Sequence, residues 1–434
     1  MQRSRIAGRH RAPDVAAAVL GDATDCFWLD SGDDGVSYLG FGEAWTPAAA
    51  VLPALRAELA ETAMDSVDGL PLGLVGWLPY ELLGETMDVA VREHPLASFL
   101  RVRRLVAVHP DGGVEVVSTG DRSDSGDASD EAWRDSVVAR LAAPLVTRSA
   151  VTPQHRPLEW ATADAEYVDL VRQCQDAIRA GDAYVLNLTT EARVAGRFDP
   201  VATYARLRSA TPAHHGGLIR IGGRSLVSSS PEQFLSVSRE GLVSTSPVKG
   251  TRGRATDPAT DLAVAAELGS SDKERAENVM IVDLMRNDLA RVSDFDDVAV
   301  TSLFRIETLP RIHQLVSSLE ARLRPGLTVV DAIAACFPAG SMTGAPKASA
   351  VQILDRLEHR TRGLYAGAFG YLARDGSADL AMTIRTIVLD ESGASISVGG
   401  GITALSEPAA ELAEIKLKAA PMIAALLPDQ SATP

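Results

Sequence analysis

The sequence predicts a mixed α/β fold of the α+β kind, in which runs of strand are interleaved with amphipathic helices. Three observations point there. Short apolar runs bounded by turn residues recur through residues 1–118. From Asp164 onward, apolar residues at helical spacing define several helices. Near the middle, residues 230–254 read SPEQFLSVSREGLVSTSPVKGTRGR, two short strands around a turn at Arg239-Glu240-Gly241. A chain of 434 residues is long enough for two or three domains, or for one large fold with intertwined halves.

Taken in order, the runs at 26–29, 36–39, 72–77, 105–108 and 114–117 read as strands, with a helix over 48–63. Residues 119–130, TGDRSDSGDASD, are polar and acidic and read as an exposed loop. A short helix over 131–142 and a Pro-containing linker reach Trp160. Tyr167, Leu170, Val171, Cys174 and Ile178 then recur at helical spacing, with Gly181 as the stop. This pattern makes Cys174 a core residue. A strand at 184–188, a helix at 201–209 and strands at 217–221 and 225–229 lead into the central hairpin. Residues 272–292 form a long helix with acidic residues in its first turn. Strands at 302–309 and 312–316 and a helix at 329–336 follow. Strands at 365–372, 380–389 and 394–398 come next, and a last helix is capped by Ser406 with Pro408 in its first turn.

The totals exclude several classes. Lys and Arg number 42 against 57 Asp and Glu, a net charge of −15, which disfavours nucleic acid and anionic membrane. Cys26, Cys174 and Cys336 are far apart, with neither zinc spacing nor a disulfide framework. They fit a reducing cytoplasm. The apolar run at 15–20 is too short for a signal peptide, and no stretch reaches the length of a membrane span.

Chemistry-bearing residues stand out in four places. The hairpin would return Lys249 close to Glu232, a nitrogen nucleophile beside a proton donor, although an ordinary cross-strand ion pair reads the same way. Glu277 falls on the stripe of Met280, Ile281, Leu284 and Met285, where a carboxylate is costly unless paired or metal-bound. Glu411, Glu414 and Lys418 share one stripe of the last helix. With Glu277, its two carboxylates would make an oxygen site suited to Mg2+, while Glu414 with Lys418 is also a plain helix ion pair. Residues 337–347, FPAGSMTGAPK, lack the phosphate-loop pattern but place glycines before a helix N-terminus, a carboxylate cradle. His313 by itself reads as a satisfied core histidine. Arg385 interrupts an apolar strand, and Gly399-Gly400-Gly401 lets backbone approach something closely.

The segments SPE (230–232), PVKGTR (247–252), ENVMIVDLMRNDLARV (from Glu277), HQLVS (313–317), FPAGSMTGAPK, RGLYAGAFGY (362–371), MTIRT (382–386) and GGGI…SEPAAELAE (from Gly399) together resemble the chorismate-utilising enzymes. The likeness covers residues 163–426. Lys249 resembles the aminodeoxychorismate synthase branch, where the segment reads PIKGT; the anthranilate and isochorismate branches usually carry alanine there. The resemblance implies two antiparallel sheets packed as a sandwich and wrapped by helices. Residues 1–150 would form an N-terminal region resembling anthranilate synthase component I, intertwined with a catalytic region at 160–427.

The same resemblance implies roles. Glu277 and Glu414 would hold Mg2+, with Glu411 helping through its water shell. Tyr365 and Arg385 would grip the enolpyruvyl carboxylate. The backbone at Gly250 and Thr251, Gly399–Gly401 and Lys418 would face the ring carboxylate, with His313 and Ser341 at other pocket positions. Glu232 would protonate the departing 4-hydroxyl, and Lys249 would add at C2 until ammonia displaces it. Lys249 must be uncharged to attack, and Glu232 must be protonated. Val185 occupies the position of the water-activating lysine of the isochorismate branch, which argues against adding water. Trp28-Leu29-Asp30-Ser31 resembles a tryptophan-binding segment. Nitrogen would arrive as free ammonia or from a separate glutamine amidotransferase subunit. The rival readings are anthranilate synthase and a non-catalytic sensor of chorismate or tryptophan.

Overall fold

The computed structural model describes residues 2–32, 35–48, 50–61, 70–92, 97–119, 129–143 and 157–427. Most of the expected loop at 119–130 and of the linker before Trp160 lies outside these residues. The first part of the chain contains β1 (Gln2–Ile6), α1 (Ala12–Val19), β2 (Cys26–Asp30), β3 (Ser37–Trp45), α2 (Val51–Glu61), β4 (Gly73–Leu78), α3 (Leu83–Thr86), β5 (Ser98–Val108), β6 (Val114–Ser118) and α4 (Asp130–Ala142). Next come β7 (Glu159–Trp160), α5 (Asp164–Arg179), β8 (Val185–Ala195), α6 (Pro200–Ala210), β9 (His215–Ile221), β10 (Arg224–Ser230), β11 (Gln233–Val237), β12 (Leu242–Ser246) and β13 (Val248–Gly253). The remainder is α7 (Pro258–Ser270), α8 (Asp272–Leu289), β14 (Ala299–Thr308), β15 (Ile312–Arg322), α9 (Val329–Cys336), β16 (Gly344–Ala345), α10 (Lys347–Glu358), β17 (Ala368–Ala373), β18 (Ala378–Met382), β19 (Thr386–Asp390), β20 (Gly393–Ile402) and α11 (Pro408–Leu426).

Every strand pairing is antiparallel, and the hydrogen bonding is continuous. Two arms leave the long strand β5. One runs β3–β2–β9–β10–β19–β20–β8, the other β4–β17–β18–β11–β12–β15. The arms face each other across an apolar layer that holds Phe27, Trp77, Leu100, Ile219, Leu226 and Phe369. Gly217 marks how closely they approach, since a Cβ there would stand 2.8 Å from the Phe369 ring. The outer faces are covered by helices: α1, α4, α5, α6 and α11 on the first arm, α2, α8 and α9 on the second. This is the sandwich that the resemblance implies. Strands from the first 118 residues pair directly with later ones, β2 with β9 and β4 with β17.

Several expectations are corrected. The run at 380–389 is two strands, because Arg385 turns the backbone at φ +51 between β18 and β19. Gly399–Gly401 lie inside β20, paired with Thr189, Leu188 and Asn187. Tyr365 precedes β17 and is not part of it. Lys249 is not on the hairpin strand β12. Pro247 ends that strand, and β13 continues along β15 instead. The N-cap of α11 is Glu407, without a side-chain cap bond, while Ser406 Oγ accepts from Thr403 N at 3.1 Å. The buried stripe of α8 is Asn278, Ile281, Val282, Met285 and Leu289, so Glu277 sits at its edge. α7, β1 and α1 escape the sequence reading.

One buried pair ties β8 and the Gly340 turn to the turn before β17. Glu358 and Arg362 meet at 2.7 Å with side chains 3% and 2% exposed. Glu358 also accepts from Thr189 N, and Arg362 donates to the carbonyls of Met342 and Asn187. Edge-to-face packing of Phe234 on Phe337, centroids 5.7 Å apart, adds about 0.5–1.5 kcal/mol beyond burial and pins β11 beneath the Gly340 turn. Glu358→Ala would leave a buried guanidinium without its counter-charge. Denaturant unfolding is expected to show a loss of about 3–5 kcal/mol.

Candidate functional site

Glu232 lies between β10 and β11, anchored because its carbonyl accepts from Met382 N at 3.0 Å. Its carboxyl is buried, and burial raises its pKa against the lowering pull of Ser341, Lys249 and the Val248 N–H. The Ser341 hydroxyl lies near this carboxyl but makes no well-formed hydrogen bond. Lys249 follows Val248 at an irregularity in the β13–β15 ladder, where Gly250 adopts φ +86. Its charge is felt by Glu232, Glu277 and Glu414 alike. Its ammonium forms no hydrogen bond or close ion pair with any described residue. The hairpin pattern therefore did bring amine and acid together, through the strand after Pro247.

Glu277 on α8 and Glu414 on α11 feel this amine from two helices, and Glu411 lies close to both carboxylates. Burial raises the Glu277 pKa, with Lys249 and Lys273 opposing and Glu274 and Glu411 reinforcing. Burial raises Glu411 too. For Glu414 burial also pushes upward, but Lys418, Lys273 and Lys249 together outweigh it and the net shift is down. Lys418 Nζ reaches Glu414 at 2.7 Å and the Gly399 carbonyl at 2.9 Å. Gly400 is the cradle of this group. A Cβ there would lie 3.3 Å from Glu411 Oε2 and 4.0 Å from Glu414 Oε1.

Arg385 sits between β18 and β19 with Tyr365 and Glu414 near. Its guanidinium is largely buried and has no hydrogen bond to any described residue. Burial lowers its pKa, yet arginine stays charged, so this group is an unspent receptor for a carboxylate. Tyr365 beside it is pushed up to about 12, chiefly by burial.

Other predicted positions turn outward or inward. Both ring nitrogens of His313 are engaged, Nε2 at 2.9 Å from Asp261 Oδ1 and Nδ1 at 2.9 Å from Thr308 Oγ1. His313 is therefore a satisfied core histidine here. Thr251 is exposed on β13. Gly250 lies against α7 and α8, since a Cβ would meet Leu268 at 2.9 Å and Glu274 at 3.0 Å. The glycine-rich turn packs rather than cradles: a Cβ on Gly340 would strike Leu284, and Lys347 binds Asp288 at 2.5 Å. Val185 is buried, its side chain 3.6 Å from a Cβ placed on Gly401. In the segment at 28–31, Asp30 is taken up by Ser37, Tyr204 and Arg208. Lys273 escaped the sequence reading. A lysine in the first turn of a helix opposes the helix dipole, and that was the available signal.

Among the described residues, no group of three His, Cys, Asp or Glu side chains closes into a ready metal cage. The donor set still suits a hard cation: oxygen ligands only, the mutual repulsion of Glu277 and Glu411, and the open backbone at Gly400 beside them. Mg2+ binds through one or two carboxylates and keeps several waters, which needs no closed cage.

A family of chorismate binding enzymes matches residues 24–424. Aminodeoxychorismate synthase of Streptomyces pristinaespiralis is 40% identical over 386 residues, 86% of this chain and 53% of that protein. Aminodeoxychorismate synthase component 1 of Klebsiella aerogenes is 39% identical over 285 residues, 65% of this chain and 61% of that one. The structure of anthranilate synthase component I from Streptococcus pneumoniae superimposes with a TM-score of 0.75 at 27% identity, covering 97% of this chain and 92% of that one. The chain spans about half the length of the Streptomyces relatives it matches.

The raised pKa of Glu232 sets a sign for stability. The folded state resists ionising this carboxyl, so its contribution is fully present below the ordinary value of 4.5 and is lost as pH rises through the folded-state value. Glu232→Gln is expected to match the wild type in melting temperature at pH 4 and to exceed it at pH 8. Calorimetry at the two pH values checks this.

Proposed function

This chain belongs to the chorismate-binding enzyme family, and on that premise we propose that it is an aminodeoxychorismate synthase, converting chorismate and ammonia to 4-amino-4-deoxychorismate. The observation that carries the reading is Lys249: a half-buried amine without a bonded partner among the described residues, its charge felt by Glu232, Glu277 and Glu414. The named synthase relatives support the same branch.

In the proposed reaction the Lys249 amine forms a bond to C2 of the ring while both ring double bonds shift and the C4–O bond breaks. Glu232 supplies the proton with which the hydroxyl leaves as water. Ammonia then bonds to C4, both double bonds shift back, and the C2–N bond breaks to restore the lysine. A proton from the incoming nitrogen returns to Glu232. The enolpyruvyl ether is untouched throughout. Both steps need Glu232 to be neutral first and a carboxylate second, and its buried, raised pKa favours the neutral start.

Arg385 with Tyr365 would hold the enolpyruvyl carboxylate, and Lys418 with the Gly399–Gly401 backbone would face the ring carboxylate. Glu277 and Glu414, with Glu411, would hold Mg2+, whose charge when bound anchors and polarises that carboxylate. Nitrogen would come from a separate glutamine amidotransferase or from free ammonia; the Klebsiella relative is named as component 1. Anthranilate synthase is the runner-up, favoured by the Streptococcus structure, which covers nearly the whole chain. It would release pyruvate, and it leaves Lys249 without a task.

The test is the mass of the product formed from chorismate, ammonium and Mg2+. A product retaining the enolpyruvyl group is expected, and anthranilate with pyruvate would overturn the assignment. Lys249→Ala is expected to abolish turnover, and Glu232→Gln to lower kcat about 10²–10⁴-fold. Chelation of Mg2+ should stop the reaction and magnesium should restore it.

A further inference from the structure

Asn278 directly follows Glu277 on α8, is fully buried, and uses only half of its amide. Its Oδ1 accepts a 2.5 Å hydrogen bond from Ser317 Oγ, while Nδ2 has no partner among the described residues. Ser317 Oγ in turn accepts from Phe304 N at 3.1 Å. The hydroxyl thus has its one proton for Asn278, which turns the amide oxygen toward Ser317.

The relay ends on both sides at features of the site. Ser317 N donates to the Pro247 carbonyl at 3.2 Å, and Val316 pairs with Val248. Pro247 is where β12 gives way to β13, two residues before Lys249. Phe304 stands at φ +58 beside an irregularity of β14, a conformation that a bulky side chain rarely adopts. It persists because its surroundings over-determine it. Arg275, three residues before Asn278 on the same face of α8, lies over the Phe304 ring at 4.6 Å. One face of α8 therefore grips a strained backbone and, through Ser317, the strand break that aims Lys249.

We infer that Asn278 and Ser317 are positioning residues, a latch that fixes the Lys249 segment in register with Glu277 on α8. They touch no reacting atom. The inference rests on Lys249 being the nucleophile of the proposed reaction. An amine and a carboxylate carried on separate elements need a rigid link between those elements, and the relay from α8 to Pro247 is that link.

The test uses the full chain with Asn278→Ala, Ser317→Ala and both together. Amidination of Lys249 by methyl acetimidate is followed by peptide mass, relative to Lys416 on α11, which pairs with Asp164 at 2.7 Å away from Lys249. The ratio is expected to change by about threefold or more in each single variant, with no further change in the double variant because the two act as one unit. Turnover with chorismate and ammonium is expected to show kcat lowered roughly 10²-fold, the scale of a misplacement of about 1 Å, with KM for chorismate little changed. Ser317→Ala deletes one oxygen and carries the test if the Asn278→Ala chain fails to fold. A folded Ser317→Ala protein with the wild-type labelling ratio overturns the latch. A shifted ratio in a chain whose wild type turns over no chorismate keeps the latch and overturns the reaction.

Discussion

Acidic side chains of α8 and α11 are held close together in a partly dry space, and the ammonium groups of Lys249, Lys273 and Lys418 are what make that tolerable. Like charges so placed repel strongly, and burial removes the water that would screen them. Each lysine meets the difficulty differently. Lys418 is fixed between Glu414 and the Gly399 carbonyl. Lys273 reaches only to 4.0 Å of Glu277 and is largely exposed. Among the described residues, Lys249 alone of the three stands near the carboxylates without a bonded partner. That leaves the Lys249 amine available for the proposed chemistry.

The architecture serves this arrangement by bringing together elements that are remote in sequence. β13 and α8 belong to the second arm, whereas β20 and α11 belong to the first. Arg385 lies where β18 of one arm passes into β19 of the other, so it spans the gap between them. Its positive φ is the backbone cost of that crossing. The loss is small beside what surrounds it: the Phe27–Trp77–Phe369 layer fixes the spacing of the arms, and the Glu358–Arg362 pair fixes the turn before Tyr365.

Much of this was legible in the sequence because periodicity reports burial directly. The helices α5, α8 and α9 and the strands around the central hairpin lie where apolar spacing places them. What escaped had a physical reason in each case. Arg385 hides the break between β18 and β19 because nothing in an arginine announces a left-handed backbone. The strand expected at 394–398 stopped short of Gly399–Gly401 because glycine lacks the side chain by which strands are recognised, yet β8 pairs with all three. Ser406 looks like a cap by residue type, but its hydroxyl serves Thr403, and Glu407 precedes the helix. Glu232 and Lys249 were legible as a pair only because the turn at Gly241 is short; their route to each other, past Pro247, was not.

Val185 bears on which nucleophile the site favours. It is buried on β8, and β20 beside it carries Gly401 at a distance that an ordinary van der Waals contact fills. An apolar side chain there supplies no base to draw a proton from water, whereas in the isochorismate branch the matching position resembles a lysine. In the proposed reaction the amine stands on β13 instead of that strand, and the protein's own nitrogen takes the place of water as the nucleophile. That placement also puts the nitrogen near Glu232, the carboxyl whose pKa burial raises. The proposed exchange of one ring substituent for another thereby divides into two displacements, the first by a protein amine and the second by a small one.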